Sequence, residues 1–175
     1  LRAQSVRHRL ETTGTVSTAL ARDLGLVGLA ARASGLPCDL RHELPSGVYA
    51  LHPIPIVTEP AGDCQSRGTI RIREMTESID WILSLLESIP DVDADASPKL
   101  APRPGHAVVS VEEGWRGEVV HAIETDATGR IAHYKVQDPS LRNWFGLAMA
   151  VRNNEISDFP ICNKSFDLSY CGNDL

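Results

Sequence analysis

Three charged residues with helical spacing are the first candidates for chemistry. Asp63, Arg67 and Arg71 follow one another at intervals of four residues, so they share nearly one face of any helix that begins at Asp63. A carboxylate held beside two guanidinium groups can stabilise charge or relay a proton. The same spacing is typical of a helix N-cap followed by ion pairs on a solvated face. Taken alone, the spacing favours this second interpretation.

A second charged group brackets a predicted turn. Glu112, Arg116 and Glu118 flank the junction of two alternating segments, and Gly117 permits a close backbone approach there. An arginine in such a place can hold a carboxylate in bidentate geometry. Charged turn residues are more often simply exposed, and that alternative stays open.

The cysteines and histidines do not form a recognisable metal-binding pattern. Cys38, Cys64, Cys162 and Cys171 contain no C-x-x-C pair, and each of the six histidines is isolated in the sequence. We expect free thiols in a reducing compartment. A zinc site formed by Cys162, Cys171 and a histidine is the alternative, although the spacing is wrong for a zinc knuckle.

Composition excludes several classes of protein. The chain has 175 residues, 42% apolar and 23% charged, which suits one globular domain or part of a larger one. Its net charge of −6 argues against a nucleic-acid surface, which needs clustered lysine and arginine. No run approaches the roughly 18 apolar residues of a membrane span. Association with a membrane would therefore require partner subunits.

The elements that would position the charged residues follow from periodicity. Residues 1–90 are predicted to be helical, with a proline-rich loop at 36–60 and a long helix at about 63–89. Residues 91–105 are predicted to be a flexible linker, and 106–175 a three-stranded antiparallel sheet followed by two helices. The prediction is a mostly helical α+β fold, one domain in all, with a long central helix and a multihelical bundle. The expected apolar stripe of the long helix comprises Cys64, Gly68, Ile72, Met75, Ile79, Ile82, Leu83, Leu86 and Ile89.

Three ordered motifs carry a resemblance to a known family. The first motif resembles T-G-x-x-[ST]…G-x-x-G-x-x-x-R-A-S-G, and it consists of Thr13–Ser17, Gly25, Gly28 and the Ala31–Gly35 stretch. Residues 62–78 resemble G-D-[CV]-x-x-R-x-x-x-R-x-x-E-[MI]-x-x-S, and residues 111–118 resemble V-E-x-x-[RG]-[RG]-G-E. These patterns are similar to those of large subunits of energy-converting nickel–iron hydrogenases and of the large core subunit of respiratory complex I. Asn143-Trp144 resembles the hydrogenase-4 and formate-hydrogenlyase branch.

The C-terminal segment carries the fourth motif. It resembles D-x-P…S-x-D-P-C-x-x-C-x-D-R, the metal-binding end of the hydrogenases, and the residues that match are Asp158, Pro160, Ser165, Asp167 and Asp174. The two cysteine positions fall on Ser169 and Gly172, Cys171 is one residue out of register, and Leu175 stands at the terminal arginine. A hydroxyl and a glycine cannot replace two thiolates that bridge soft transition metals.

The resemblance implies a hydrogenase large subunit-like fold and a role in a redox complex. It implies that Asp63, Arg67, Arg71, Glu112, Arg116 and Glu118 line a central cavity, where they could tune an iron–sulfur potential or pass protons. No cofactor is expected in this chain, and no nickel–iron centre, because the ligand positions hold Ser169 and Gly172. An iron–sulfur cluster is expected in a partner subunit.

The expected setting is the cytoplasmic face of the inner membrane, reached through partner subunits. The expected partners are an iron–sulfur small subunit and the membrane subunits of an antiporter-like arm, with quinone as a further candidate. We expect the chain to be a C-terminal fragment of an oxidoreductase subunit, inactive in isolation. Two alternatives remain: a working hydrogenase with unusual metal ligands, and a non-catalytic assembly subunit.

Overall fold

The computed structural model describes residues 3–87 and 101–173. Its helices and strands confirm the α+β prediction of a mostly helical chain with one small sheet. Two 3₁₀ turns, Ile156–Asp158 and Cys171–Asn173, accompany them. The elements in chain order are α1 (Gln4–Leu10), α2 (Thr18–Asp23), α3 (Gly28–Arg32), α4 (Leu40–Glu43), α5 (Val48–Leu51), α6 (Cys64–Leu86), β1 (Ala107–Gly114), β2 (Gly117–Thr125), β3 (Ile131–Gln137), α7 (Ser140–Ala150) and α8 (Phe159–Phe166).

The N-terminal region consists of short helices, as predicted. Ser17 caps α2 by accepting the Leu20 N–H at 3.2 Å. The proline-rich stretch 36–60 is largely irregular but contains the four-residue helices α4 and α5. The predicted linker at 91–105 falls mainly outside the described residues, of which the structure covers only 101–105.

The start of α6 is the best-packed part of the chain. The Asp63 carboxylate accepts the Ser66 N–H at 2.8 Å and so caps the helix. In the first two turns Cys64, Arg67 and Ile70 are buried against α3 and α8. This burial places charged and apolar side chains together in one tightly packed region.

The rest of α6 differs from the sequence expectation. Instead of forming a buried stripe, six predicted core residues are about half exposed: Ile72, Met75, Ile79, Ile82, Leu83 and Leu86. The apolar residues recur with helical periodicity, as expected, but periodicity does not show which molecule covers the stripe. Within the described residues, the packing partners of α6 lie mainly beside its N-terminal half. Its C-terminal half therefore presents an apolar face to the outside.

The sheet is an antiparallel meander in the order β1-β2-β3, as predicted. The first hairpin closes where Gly114 faces Gly117, and the second is irregular at Glu124 and Thr125. The tip of the first hairpin contacts the start of α3 closely. A Cβ on Gly28 would lie 2.2 Å from the Gly117 Cα, so both positions depend on glycine. The close contact between Gly28 and Gly117 holds the β1–β2 hairpin beside the helices.

The two C-terminal helices complete the main core. α7 begins after Pro139, and α8 packs against α6 and α7. α8 ends at Phe166, because Asp167 adopts the left-handed conformation with φ of 56°. The core around α8 includes Val16, Leu26, Ala31, Leu147, Cys162 and Phe166. Within the described part of the chain, every helix is too short or too polar to cross a membrane.

Candidate functional site: two arginine clusters beside the C-terminal segment

Arg67 lies at the centre of the first cluster, which comprises Asp63, Arg67, Arg71 and Ser165. Its guanidinium is 1% exposed and donates to the Gly62 carbonyl at 2.7 Å, the Gly14 carbonyl at 2.9 Å and Ser165 Oγ at 2.8 Å. Its Cζ lies 4.2 Å from the Phe166 ring centroid, a cation–π distance. Arg67 forms no salt bridge to any residue that the structure describes. Neutral oxygens and an aromatic face therefore surround a buried cation.

Burial dominates the electrostatics of this arginine. Removal from water lowers the pKa of Arg67, and the nearby Cys64, Cys162 and Asp63 only partly oppose that shift. Asp63 itself serves the backbone, since its second oxygen accepts the Thr12 N–H at 2.9 Å. The predicted spacing therefore brings Asp63 and Arg67 into one buried cluster, but it does not pair them directly.

Arg71 and Arg116 converge on the end of α8. Arg71 donates to the carbonyls of Ser165 at 2.6 Å and Phe166 at 3.2 Å, and Arg116 Nε donates to the Asp167 carbonyl. Burial lowers the pKa of Arg71, while Asp167 acts in the opposite direction. The C-terminus of a helix carries partial negative charge, so cations are favoured there.

Asp167 completes this arrangement at the end of α8. Its carboxylate accepts from Lys164 Nζ at 2.7 Å and from the Trp115 indole at 3.3 Å, and it lies 3.6 Å from Arg116 Nη2. The hydrogen bond from Lys164 is the main reason that the pKa of Asp167 is lowered. Three cations, Arg71, Arg116 and Lys164, thus lie around Asp167, the residue that precedes the segment 168–173.

The second cluster, here called the Arg32 network, comprises Arg32, Asp39, Arg41, Glu74 and Glu113. Arg32 is 2% exposed and lies 2.7 Å from Glu74 Oε1, 2.8 Å from Glu113 Oε1 and 3.6 Å from Asp39 Oδ2. Arg41 binds Asp39 through two nitrogen atoms, at 2.9 and 2.6 Å. A groove of about 360 Å³ borders this network and the apolar face of α6.

The Arg32 network contains one more carboxylate than it has arginines. Burial would lower the pKa of Arg32, but Glu74, Glu113 and Asp39 raise it overall. Burial opposes the ionisation of Asp39 as well, yet its pKa is lowered by Arg41 and Arg32. Burial raises the pKa of Glu113 in spite of its contact with Arg32. Glu113 is therefore the member of the network best suited to hold a proton.

The other predicted residues lie elsewhere. Glu112 is exposed, because successive residues of β1 face opposite sides of the strand and Glu113 takes the inward side. Glu118 lies 2.8 Å from Arg142 of α7. The structure thus brings together Asp63, Arg67, Arg71 and Arg116, and it separates Glu112 and Glu118 from them.

Sequence reasoning missed the Arg32 network as a cluster. Arg32 and Glu74 lie in the quoted motifs, and strand alternation singles out Glu113 once Glu112 is assigned to the outer face. Asp39 and Arg41 carry no signal in the sequence, because they reach the network through the irregular stretch 36–60. Residues contributed by such a loop cannot be found by periodicity.

At the two positions where the resemblance predicts the thiolates of hydrogenases, Ser169 and Gly172 make ordinary turn contacts. Ser169 Oγ accepts the Gly172 N–H at 3.0 Å, and Ser140 Oγ accepts the Ser169 N–H at 3.0 Å. A Cβ added to Gly172 would lie 2.5 Å from Cγ of Asp138. A cysteine side chain does not fit at position 172 unless Asp138 moves. The described residues contain no group of three or more metal-binding side chains, and Asp174 and Leu175 lie outside them.

Comparison with known proteins identifies the family. Residues 1–104 match the family of the 49-kDa subunit of respiratory-chain NADH dehydrogenase. The chain belongs to this family. A carbon monoxide-induced hydrogenase of Rhodospirillum rubrum is 32% identical over 163 residues, which cover 93% of this chain and 45% of the relative. The family therefore joins complex I subunits with hydrogenases, as the motifs predicted.

Two further relatives match most of this chain over less than half of their own length. One subunit of the NADH-quinone oxidoreductase of Dehalococcoides mccartyi is 29% identical over 91% of this chain and 44% of its own length. One subunit of the F(420)H(2) dehydrogenase of Methanosarcina mazei is 35% identical over 78% of this chain and 35% of its own length. The chain thus spans less than half the length of these curated relatives.

The Arg32 network yields a stability prediction. We expect Arg32→Met to lower the free energy of unfolding by about 3–5 kcal/mol at pH 7, because it leaves the buried carboxylates of Asp39 and Glu113, and the partly buried one of Glu74, without their shared cation. Arg73→Met is the matched control, an exposed arginine on α6. It removes an exposed ion pair with Glu59, which is worth less than about 1 kcal/mol. Urea unfolding of the purified proteins measures both values.

The pH dependence of this penalty follows from Glu113. The pKa of Glu113 in the folded protein is raised above its ordinary value near 4.5. The protonated carboxyl therefore contributes stability when the pH is below 4.5, and this contribution is lost as the pH rises through the raised pKa. The cost of Arg32→Met should therefore shrink as the pH falls from 7 toward 4.5. A penalty that stays constant across this range would contradict a proton on Glu113.

Proposed function

We propose that this chain is part of the large subunit of a membrane-associated redox complex related to energy-converting hydrogenases and NADH-quinone oxidoreductases. It would pack on an iron–sulfur subunit and couple electron transfer to quinone or protons without a nickel–iron centre of its own. Family membership and the functions of the relatives support this proposal. The observation that carries it is the convergence of Arg71, Arg116 and Lys164 on the end of α8, beside ligand positions without thiols.

The donor set at the C-terminal segment supports the absence of a bimetallic centre. Ser169 offers a hydroxyl that already accepts a backbone N–H, and Gly172 has no side chain, while one added there would have to displace Asp138. Nickel and iron of this kind require bridging thiolates, which are soft ligands. Cys171 is an exposed thiol, but its sulfur lies 3.2 Å from Ser169 Oγ and is out of register with the ligand pattern.

The charged residues suggest what the chain contributes instead. Arg71, Arg116 and Lys164 place positive charge around the end of α8, and a positive field favours the arrival of an electron at a nearby acceptor. Glu113 in the Arg32 network can hold or release a proton close to α6. Together these groups would stabilise negative charge during electron transfer and buffer the accompanying proton.

The exposed face of α6 supports a role within an assembly. Met75, Ile79, Ile82 and Leu86 are each about half exposed along one helix, and Ile79 and Ile82 border the groove beside the Arg32 network. A contiguous apolar face of this kind marks a protein interaction surface. We propose that partner subunits of the complex, at the cytoplasmic face of the inner membrane, include an iron–sulfur protein and an antiporter-like membrane arm.

Turnover of the assembled complex tests the role of the charged cluster. We expect Arg71→Gln to lower turnover with an artificial viologen donor about tenfold or more, since it removes a positive charge and two bonds at the end of α8. Arg73→Gln changes an exposed arginine on the same helix and should stay within about twofold of the wild type. Activity is normalised to assembled complex on a native gel. Full turnover with Arg71→Gln would favour the assembly-subunit alternative.

Metal analysis tests the hydrogenase alternative. The full-length protein, co-expressed with its maturation factors, should contain no stoichiometric nickel, because two of the positions that must bind it have no thiol. The variant Ser169→Cys/Gly172→Cys should also fail to bind nickel, since the cysteine at 172 collides with Asp138. Stoichiometric nickel and iron in the wild-type protein would overturn the cofactor proposal.

A further inference from the structure

Two buried thiols from distant parts of the chain share one small space. Cys64 lies in the first turn of α6 and is 2% exposed, and Cys162 lies in α8 and is fully buried. Both sulfurs face Gly14, where an added Cβ would lie 2.6 Å from Cys162 Sγ and 3.3 Å from Cys64 Sγ. Gly14 has φ of +63°, which favours glycine, and the missing side chain leaves room for the pair.

The surroundings of the two thiols differ. Cys64 lines a cavity of about 390 Å³ between α1, α6 and α8, together with Leu10, Gly68 and Ile161. Arg67 Nη2 lies 3.4 Å from Cys64 Sγ and holds it in place. Cys162 lies deeper, and burial together with the neighbouring Cys64 raises its pKa to about 11. A small solute in the cavity therefore meets Cys64 first.

We propose that Cys64 and Cys162 form an oxidation site that closes to a disulfide when a small peroxide enters this cavity. The proposal rests on three geometric observations: two sulfurs beside one glycine, an arginine next to the outer sulfur, and a cavity that reaches it. The arginine matters because a thiolate is the form of cysteine that attacks a peroxide, and a guanidinium is its natural neighbour. The chain contains two other cysteines, Cys38 and Cys171, but neither lies at this point.

The reaction balances with hydrogen peroxide as the oxidant. The Cys64 sulfur attacks one peroxide oxygen, the O–O bond breaks, and the departing hydroxide takes up the thiol proton to form water. Cys64 becomes a sulfenic acid. The Cys162 sulfur then attacks the Cys64 sulfur, the S–O bond breaks, and a second water leaves with the thiol proton. Two thiols lose two electrons in total, and one peroxide gains them.

The disulfide would join α6, which carries Arg67, to α8, which binds the Arg67 side chain. Arg67 already connects the start of α6 to α8 through Ser165. A covalent bond between Cys64 and Cys162 would fasten the same two helices beside the C-terminal segment. Oxidation would thus fix the geometry of the Arg67 cluster, and a reducing agent would release it.

Peptide mapping of the full-length protein tests this site. The reduced protein is treated with equimolar hydrogen peroxide, remaining thiols are blocked with iodoacetamide, and the unreduced digest is analysed by mass spectrometry. We expect a linked peptide containing Cys64 and Cys162, and its loss after reduction with dithiothreitol. Cys171→Ser is the control, since it removes a thiol outside the pair and should leave the linked peptide unchanged.

A second variant resolves the order of events. In Cys162→Ser, Cys64 should stop at the sulfenic acid, which dimedone captures, and no linked peptide should form. The proposal is overturned if iodoacetamide still alkylates both Cys64 and Cys162 of the wild type while exposed Cys171 is oxidised. It is also overturned if Cys64 is found linked to Cys38 or Cys171. Because these two outcomes concern the wild-type protein, they do not depend on the folding of any variant.

Discussion

The buried guanidinium of Arg67 connects three parts of the chain on which the rest of the structure depends. Arg67 binds the Gly14 carbonyl near the N-terminus, the Gly62 carbonyl before α6 and the Ser165 hydroxyl in α8. Desolvation of a cation without a carboxylate partner is costly. The cost is offset because three neutral oxygens and the Phe166 ring together replace its water shell. Arg67 can make all of these contacts only when α6, α8 and the Gly14 turn are packed together.

The C-terminal segment depends on this packing for its position. Arg71 and Arg116 bind the last carbonyls of α8, and Asp167 ends the helix in a left-handed conformation. Beyond the end of α8, the residues that the resemblance aligns with the thiolate positions of hydrogenases, Ser169 and Gly172, form a small turn. Under the proposed function, this packed segment would supply charge to a redox complex instead of metal ligands.

Local patterns in the sequence predicted the elements well, whereas tertiary relations were predicted only in part. The capped start of α6 at Asp63 and the hairpin at Gly117 depend on neighbouring residues, and they were predicted. The exposure of Ile79 and Leu86 was not, because helical periodicity reveals an apolar face without revealing its partner. The Arg32 network was missed because two of its members arrive from an irregular loop. The roles of the candidate site residues and the cofactor content remain predictions.

The most direct test of this account is hydrogen exchange in an Arg67→Lys variant. Lysine keeps the charge, but its single ammonium cannot bind the three separated acceptors that the guanidinium reaches. The account predicts that backbone amides of α8 exchange at least about tenfold faster than in the wild type, while amides of the β1–β2 hairpin are unchanged. Equal exchange rates for α8 in the two proteins would contradict the central role of Arg67.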